Sequence, residues 1–548
     1  MMKRKTVQLS LSNILVLSFF LILVTTDVSA QHMHDDHPLP EGASIGEVHF
    51  NVSCDEAVKE DFNYALGMMH HMMYVSARET FEKVIETDPG CAMGYWGVAT
   101  SLFQPLWGTR PSDEDLQRGW DNINRALDLV ESDREKLLVQ STAEFFREPE
   151  SADFRSRVSR WIDGVEEAYN AFPNDHDIAA LYSLTKLTAT QYSDDPEPLL
   201  DDAEYILREI FEQNSAHPGA IHYSIHATDV DGRAENALDM VKAYGNIAPE
   251  VPHALHMPSH IYVRLGDWPE VIEWNAKSAN AALLHPVNGA ESHHYIHAID
   301  YLVYAYLQRG EDEKAESVFQ DVLKKERHQA SFISAFHFAA IPARLAVEQK
   351  DWERAANLEP RTPDYLPWDA SPWAEGLTWY ARGLGSVHTG DLEGAYMAKK
   401  RLVELREHAK DRGDDGMAIY IEADRLALSG WIALTEGEDE AAVELARSAA
   451  DLEGSIQKHP VTPGALQPPN EALGDILLRL DRPADALAAY EASDAIWPGR
   501  LNTLMGAAVA ARLSGEDQKA RMYVAKLLNS GSGSLDVEPL LTAREQDE

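Results

Sequence analysis

Three histidines fall within eight residues of the stretch PHALHMPSHIYVRLGDW, which covers residues 252–268. His253, His256 and His260 have the spacing i, i+3, i+7, which places their side chains on one face of a helix. Neutral imidazole is a good ligand for zinc, copper, nickel and iron, and two histidines at i, i+4 can supply two ligands from one helix. Such a face either binds a ligand or belongs to the core, and its direction decides which.

An equivalent histidine pair precedes this stretch in the chain. Gly232 and Gly266 are the predicted turn residues of two consecutive helical hairpins, and they lie 34 residues apart. His222 and His226 precede Gly232 by ten and six residues, and the pair in the opening stretch precedes Gly266 by the same intervals. Equivalent positions on neighbouring helices lie side by side in a repeat, so we predict a patch of four imidazoles. Its members are His222, His226, His256 and His260.

More imidazoles and carboxylates follow, most densely in ESHHYIHAID, residues 291–300. Carboxylates this close to histidines can be ligands, or partners that hold a histidine in one tautomer, and Asp229 and Asp300 are candidates for either role. The predicted metal ligands are His222, His226, His256, His260, His293, His294 and His297. The predicted groove-lining residues are His222, His226, His253, His256, His260, Asp300, Tyr304, His337 and Glu471.

The elements that carry these residues are predicted to be paired helices. ARETFEKVIETDP (77–89), KAESVFQDV (314–322) and ADALAAYEASDAIWP (484–498) share a small–aromatic–small spacing, and the first and last end in proline. That spacing is typical of the second helix of a tetratricopeptide repeat, whose hairpins stack into a superhelix. We therefore predict an all-α tetratricopeptide-type solenoid of roughly ten hairpins. First helices line the concave groove in such proteins, so this resemblance implies that the histidines face the groove. Pro258 lies inside one such helix and should kink it or delay its start, which would leave His253 in the preceding loop.

The chain divides by composition and by the strength of the repeat pattern. The predicted parts are a signal peptide (1–30), a flexible segment with histidine and aspartate (31–54), N-terminal repeats (55–108), divergent hairpins (109–216), histidine-rich repeats (217–360), C-terminal repeats (361–530) and a polar tail (531–548). The motif QHMHDDH (31–37) could bind a divalent metal weakly or be a solvated tail. MMHHMMY (68–74) contains the residue types that suit copper, but methionine at these positions is more often a filler of the hydrophobic core, and we favour the core interpretation.

Export is predicted from the N-terminus, where a basic start precedes the apolar run LSNILVLSFFLILV and a small-residue cleavage pattern. No later run of eighteen apolar residues predicts a membrane span, so we expect a periplasmic or secreted protein. In such a compartment Cys54 and Cys91 can form a disulfide, and they precede the first helices of adjacent predicted repeats. The alternative is two buried thiols.

Charge and missing motifs exclude several function classes. The net charge of −42 should repel nucleic acid and anionic lipid. The chain lacks H-E-x-x-H, a phosphate-binding loop, a dinucleotide fingerprint and a serine nucleophile elbow, so any catalysis would have to depend on a metal.

Three phrases together resemble a known family: SCDEAVKEDFNYALGMMHHMM with ARETFEKVIETDPGCAMGYWGVA, HPGAIHYSIHATD, and APEVPHALHMPSHIYVRLGDW. They are similar to exported bacterial tetratricopeptide proteins of unestablished activity, over most of residues 50–500. The resemblance implies a solenoid and export, and it leaves function open.

Three functional hypotheses follow from the sequence. The favoured one is a scaffold that binds a peptide, a protein or a small ligand in a histidine-lined groove. The histidines are candidates to hold a zinc or copper ion there, and the alternative is that they make only structural or peptide-binding contacts. The second is a metal-dependent hydrolase or oxidase that uses the same histidines. The third is a metal-handling protein of the cell envelope.

Overall fold

A computed structural model describes residues 44–106, 111–149, 152–193, 195–284 and 286–531. All of these belong to one compact unit, residues 32–548. The predicted signal peptide, the QHMHDDH motif and nearly all of the polar tail lie outside the described residues.

The described residues form helices, three of them short 3-10 helices at Glu56–Val58, Ala234–Ala237 and Trp368–Ala370. The first helices are α1 (Lys59–His70), α2 (Tyr74–Thr87), α3 (Ala92–Phe103), α4 (Asp113–Leu129), α5 (Asp133–Phe146), α6 (Phe154–Ala171), α7 (His176–Thr190), α8 (Glu197–Gln213), α9 (Pro218–Thr228), α10 (Leu238–Tyr244), α11 (Pro252–His256), α12 (Pro258–Leu265) and α13 (Trp268–Leu283). They are followed by α14 (His293–Gln308), α15 (Asp312–Leu323), α16 (Phe332–Glu348), α17 (Trp352–Ala356), α18 (Pro372–Thr389), α19 (Leu392–Asp411), α20 (Asp415–Thr435), α21 (Asp439–Glu453), α22 (Pro469–Arg479), α23 (Pro483–Ile496), α24 (Leu501–Leu513) and α25 (Asp517–Ser530).

Successive helices pack as hairpins, which confirms the predicted helical-repeat solenoid. The two turn residues used to align the repeats have left-handed backbone conformations, with φ of +79° at Gly232 and +66° at Gly266. Gly310 and Lys350, in the turns after α14 and α16, share this conformation with φ of +69° and +56°. A left-handed residue ends a helix and reverses the chain, and glycine adopts it without a steric penalty. The shared conformation supports the repeat register derived from the sequence.

Small residues under aromatic rings set the close approach of paired helices. A side chain at Gly474 on α22 would place its Cβ 2.8 Å from the ring of Tyr490 on α23. At Gly97 on α3 the ring of Phe81 on α2 would be 2.5 Å away. Both glycines therefore admit the aromatic residue of the neighbouring helix, as the repeat pattern predicts.

Pro258 interrupts the histidine-bearing helix as predicted. α11 ends at His256 and α12 begins at Pro258, because proline lacks the amide hydrogen needed to continue the helix. The expectation that His253 would lie in the preceding loop is wrong, since His253 is part of α11.

Cys54, ahead of α1, and Cys91, the N-cap of α3, form a disulfide with their Cα atoms 4.8 Å apart. The bridge connects the starts of two adjacent hairpins. Among the helices described, none is long and apolar enough to cross a membrane.

The C-terminal half of the unit folds back onto the histidine-rich helices. Lys458 Nζ donates to Asp229 Oδ2 at 3.1 Å, and Tyr301 Oη donates to the carbonyl of Pro460 at 3.0 Å. Arg344 Nη2 on α16 donates to Thr462 Oγ1 at 2.8 Å. The segment between α21 and α22, residues 454–468, therefore covers the inner face of α9 to α16. We call it the covering segment.

Candidate metal centre

Three imidazoles from consecutive inner helices converge beneath the covering segment. His256 on α11, His260 on α12 and His297 on α14 each place one ring nitrogen within 4.8 Å of the other two. We call this group the three-histidine centre. The side chains of His256 and His260 are almost completely buried, and His297 is 9% exposed. The break at Pro258 shifts the two rings of the i, i+4 pair, and their Nε2 atoms lie 3.0 Å apart.

Hydrogen bonds at the far side of the His256 ring determine its tautomer. His256 Nδ1 lies 2.7 Å from Asn275 Oδ1 on α13. The amide nitrogen of Asn275 donates to the carbonyl of Val271 at 2.8 Å, which turns Oδ1 toward the histidine. Oδ1 can only accept, so Nδ1 carries the proton and Nε2 of His256 keeps its lone pair.

The same reasoning applies to His260. Its Nδ1 lies 3.0 Å from Asp229 Oδ2. Burial opposes ionisation of Asp229, but Lys458 and Arg264 outweigh it and hold the pKa of this carboxyl well below its ordinary value. A carboxylate only accepts, so His260 donates from Nδ1 and also keeps a lone pair on Nε2.

Two lone pairs therefore face each other at 3.0 Å. A proton or a cation between them would resolve this repulsion. Burial first, and the neighbouring His260 next, lower the pKa of His256 well below its ordinary value, which disfavours the proton. Two nitrogens bound to zinc at about 2.0–2.1 Å in a tetrahedral site lie about 3.3 Å apart, so a metal ion needs only a small adjustment.

A longer chain of hydrogen bonds determines the tautomer of His297. Arg344 Nε donates to Asp300 Oδ1 at 2.8 Å, and Asp300 Oδ2 accepts from His337 Nδ1 at 3.0 Å. His337 Nε2 must then accept from His297 Nδ1, 2.6 Å away. His297 is left with its lone pair on Nε2 as well. All three imidazoles thus combine a proton donated outward with a free lone pair, the arrangement found for metal-bound histidines.

A cavity of about 680 Å³ lies beside the centre. His226, His253, His260, His294 and His297 contribute to its lining, together with residues 413–417, Tyr420 and residues 459–461. The first group comes from the histidine-rich helices, and the second from the start of α20 and the covering segment. The centre therefore borders a space large enough for a small organic ligand.

The structure separates the predicted groove residues into two sets. His226, His253 and His260 line the cavity, as do the predicted ligands His294 and His297. His222, His256, His293, Asp300, Tyr304, His337 and Glu471 are buried, and the cavity lining does not include them. The covering segment closes over the face that carries the predicted groove residues, so these side chains lie beneath it.

Tyr304 and Glu471 have a structural role in place of the predicted ligand contact. Arg500 Nη1 donates to Tyr304 Oη at 3.1 Å, and Arg500 Nε donates to Glu471 Oε2 at 3.2 Å. Arg500 also pairs with Glu348 at 2.9 Å. These contacts attach the loop before α24 to α14, α16 and α22, so both side chains stabilise the closure.

A second histidine cluster includes His70 of MMHHMMY and none of the predicted metal ligands. Asp177 Oδ1 lies 3.0 Å from His70 Nε2 and 3.3 Å from His217 Nε2. His217 Nδ1 accepts from the amide of Ala220 at 3.2 Å, and His70 Nδ1 lies 3.1 Å from the hydroxyl of Tyr223. We call this group the Asp177 cluster. Met68, Met69, Met72 and Met73 are buried nearby in the hydrophobic core, which favours the core interpretation of the motif.

Several residues of the site were not predicted from the sequence. They are Asn275, Arg344, Lys458 and His459, and the bond between Lys458 and Asp229 joins residues 229 positions apart in the sequence. Only Asn275 had a local indication, because an asparagine amid the apolar residues of a predicted helix is unusual. The others could not be found without the folded chain.

Comparisons with known proteins leave the family open. No protein-family model matches the chain, and the search of curated proteins found no match. Among solved structures, a monomeric mutant of IFIT1 with Gppp-AAAA is 12% identical, covers 87% of this chain and 96% of its own, and has a TM-score of 0.34. A human IFIT1 dimer with PPP-AAAA is 15% identical, covers 71% and 82%, and has a TM-score of 0.33. At such TM-scores these likenesses carry no argument about ligands, and membership of the exported bacterial family stays a prediction.

Proposed function

We propose that this protein is an exported helical-repeat scaffold that binds a small ligand at a transition-metal ion held by His256, His260 and His297. The observation that carries the proposal is the pair of Nε2 lone pairs of His256 and His260, 3.0 Å apart in a buried site. A buried polar pair that lacks a shared proton is costly without a cation.

Zinc or copper is the expected ion. All three ligands are imidazoles, and imidazole suits both metals, whereas magnesium and calcium require oxygen ligands. Three protein ligands leave a coordination position for a molecule in the neighbouring cavity. The cavity volume of about 680 Å³ suits a small molecule better than a folded protein partner.

Elemental analysis provides the test. The chain is expressed without an affinity tag, desalted so that weakly held ions are lost, and analysed by inductively coupled plasma mass spectrometry. We expect close to one equivalent of zinc or copper per chain. His260→Gln should reduce the content to near zero. His49→Gln should leave it unchanged, since His49 is 76% exposed on its side chain and is not a member of the centre. Wild-type protein with no metal after growth and refolding in both ions would refute the proposal.

A metal-dependent hydrolase is a second candidate, favoured by one observation. Three neutral imidazoles beside a cavity resemble the ligand set of zinc sites that activate water. Zinc-loaded protein should then hydrolyse an activated ester such as p-nitrophenyl acetate, and His297→Gln should abolish the rate. Metal uptake without hydrolysis would leave the binding function and eliminate the enzyme.

A further inference from the structure

We infer that the cavity binds a molecule with an apolar body and a single negatively charged, metal-coordinating head such as a carboxylate or hydroxamate. The inference rests on the proposed metal centre and adds the chemical class of its ligand. Three observations carry it: the charge balance at the centre, the side chains of the cavity lining, and the acidic residues at the start of α20.

The charged side chains around the centre compensate one another. Lys458 donates to Asp229 at 3.1 Å, Arg344 donates to Asp300 at 2.8 Å, and Arg264 pairs with Asp231. Arg264 Nε also donates to Asp229 Oδ1 at 2.8 Å. Three cations thus match three carboxylates, and the three imidazole ligands are neutral. The two charges of a bound divalent ion stay uncompensated, and in a buried site they attract an anionic donor strongly.

Apolar side chains dominate the rest of the lining. These side chains come from the start of α12, the start of α16 and the covering segment: Met257, Phe332, Ile333, Pro460 and Val461. Such a lining favours a hydrocarbon or aromatic body, because burial of apolar surface contributes binding free energy in proportion to its area.

Acidic residues limit the ligand to one negative charge. Asp414 and Asp415 also line the cavity, at and just before the start of α20. Arg412 lies 3.4 Å from Asp414, whereas Asp415 is exposed. A second anionic group on the body of the ligand would meet these carboxylates and be repelled.

His459 adds a neutral hydrogen-bond donor to the lining. Its Nδ1 accepts from the amide of Val461 at 3.1 Å, so the proton of the neutral ring is on Nε2. Burial, and next the charge of Lys458, lower the pKa of His459 to about 4, which keeps it neutral at physiological pH. A ligand of the inferred class can accept this hydrogen bond without a second charge.

Isothermal titration calorimetry on zinc-loaded, desalted protein of measured zinc content provides the test. The four probes are benzohydroxamate, acetohydroxamate, 4-carboxybenzohydroxamate and benzamide. Benzohydroxamate should bind with one equivalent, and benzamide, which lacks the metal-binding head, should give no heat of binding. Acetohydroxamate lacks the body and 4-carboxybenzohydroxamate carries a second charge, so each should bind roughly tenfold or more weakly than benzohydroxamate.

A matched pair of variants tests the apolar wall. Ile333→Ala should weaken benzohydroxamate roughly tenfold and leave acetohydroxamate unchanged, because only the larger probe contacts the wall. Ile162→Ala, on α6 and outside the cavity lining, should change neither affinity.

The outcomes separate the two proposals. Three results would overturn the ligand class and leave the metal centre unaffected. They are equal affinities for benzohydroxamate and acetohydroxamate, tight binding of 4-carboxybenzohydroxamate, and no binding of any probe to zinc-loaded protein. Failure of every preparation to take up zinc or copper would overturn the proposed function, and this inference with it.

Discussion

The three-histidine centre and the Asp177 cluster contain similar side chains in different hydrogen-bonding states. In the Asp177 cluster, both histidines can donate from Nε2 to the carboxylate, and both Nδ1 atoms accept from a neighbouring amide or hydroxyl. Each ring nitrogen therefore has a complementary partner. In the three-histidine centre, donation from Nδ1 to Asn275 and Asp229 leaves two Nε2 lone pairs facing each other.

The position of one proton acceptor explains this difference. Asp177 lies between its histidines and accepts from both, so the cluster is complete without a cation. Burial opposes ionisation of Asp177, but the hydrogen bonds from His217 and His70 outweigh it and lower the pKa of the carboxyl. Asp229 instead lies outside its pair and directs the lone pair inward. Histidine clusters of similar composition can therefore be structural or metal-binding, depending on the side of the ring that meets the acceptor.

The largest effect is expected at the Asp177 cluster. Asp177→Ala leaves two buried imidazole N–H groups unpaired and should lower the free energy of unfolding by about 3–5 kcal/mol. His260→Gln in metal-free protein should lower it by clearly less, because the substitution removes the lone-pair repulsion and the glutamine amide can still donate to Asp229. Urea titrations in the presence of a chelator measure both. A cost at His260 equal to that at Asp177 would mean that both clusters are structural.

Metal should stabilise one cluster and not the other. Zinc added to chelator-treated wild-type protein should raise the free energy of unfolding by about 2.7–4.1 kcal/mol at free zinc concentrations of about 100–1,000 times Kd. Asp177→Ala should show the same increment on a lower baseline, and His260→Gln should show none. Differential scanning calorimetry provides the measurement. If only Asp177→Ala lost the zinc-dependent rise in the free energy of unfolding, the ion would bind at the Asp177 cluster and not at the three-histidine centre.

Acid should destabilise the metal-free protein through buried neutral histidines. His71 adjoins the Asp177 cluster, and burial is the main cause that lowers its pKa to about 4. Between pH 6.5 and 4 the unfolded chain binds this proton and the folded chain does not, so stability falls as pH falls, by at most about 3 kcal/mol. His71→Gln should make the pH dependence of the unfolding midpoint in that range less steep by the contribution of one proton, since other buried histidines such as His226 also have lowered pKa values. If the unfolding midpoints of the wild type and His71→Gln depended on pH in the same way, His71 would not be a source of the acid effect.

A smaller effect is expected from the residue that directs His260. Asp229→Asn should reduce zinc affinity about 10–100-fold, because the neutral amide holds the ring less firmly and leaves Lys458 and Arg264 uncompensated. The matched control is Asp231→Asn, which alters a half-exposed partner of the same arginine and should cost less than threefold, or about 0.6 kcal/mol. Competition titrations against a zinc chelator compare the two. Equal losses of zinc affinity in the two variants would show that Asp229 acts through its charge alone and not by orienting the His260 ring.

Local sequence patterns predicted a large part of the architecture. The left-handed turns at Gly232 and Gly266 and the break at Pro258 follow from local sterics and from the period of the repeat. The pairing of His256 with His260 follows from the same local geometry, since i, i+4 residues share a helix face.

The burial of that face could not be predicted in this way. The residues that cover it or orient its rings, among them Arg344 and Lys458, are far along the chain, and no short-range pattern relates them to the histidines. His222 and His226 occupy the predicted equivalent positions, yet the group of closely spaced ligand atoms joins His256 and His260 to His297 instead. Gly310 follows Gly266 by 44 residues instead of 34, and Pro258 breaks the helix, so this part of the chain departs from the regular repeat.

The sequence by itself determined the helical hairpins, their turns and the helix face on which the histidines lie, because these depend on backbone sterics and on the 3.6-residue period. Only the tertiary structure decided that the face is buried, which imidazoles meet, and which ring nitrogen of each carries the proton. Those properties depend on acceptors such as Asn275, Asp229 and Asp300 and on the covering segment, and long-range folding alone brings these groups together.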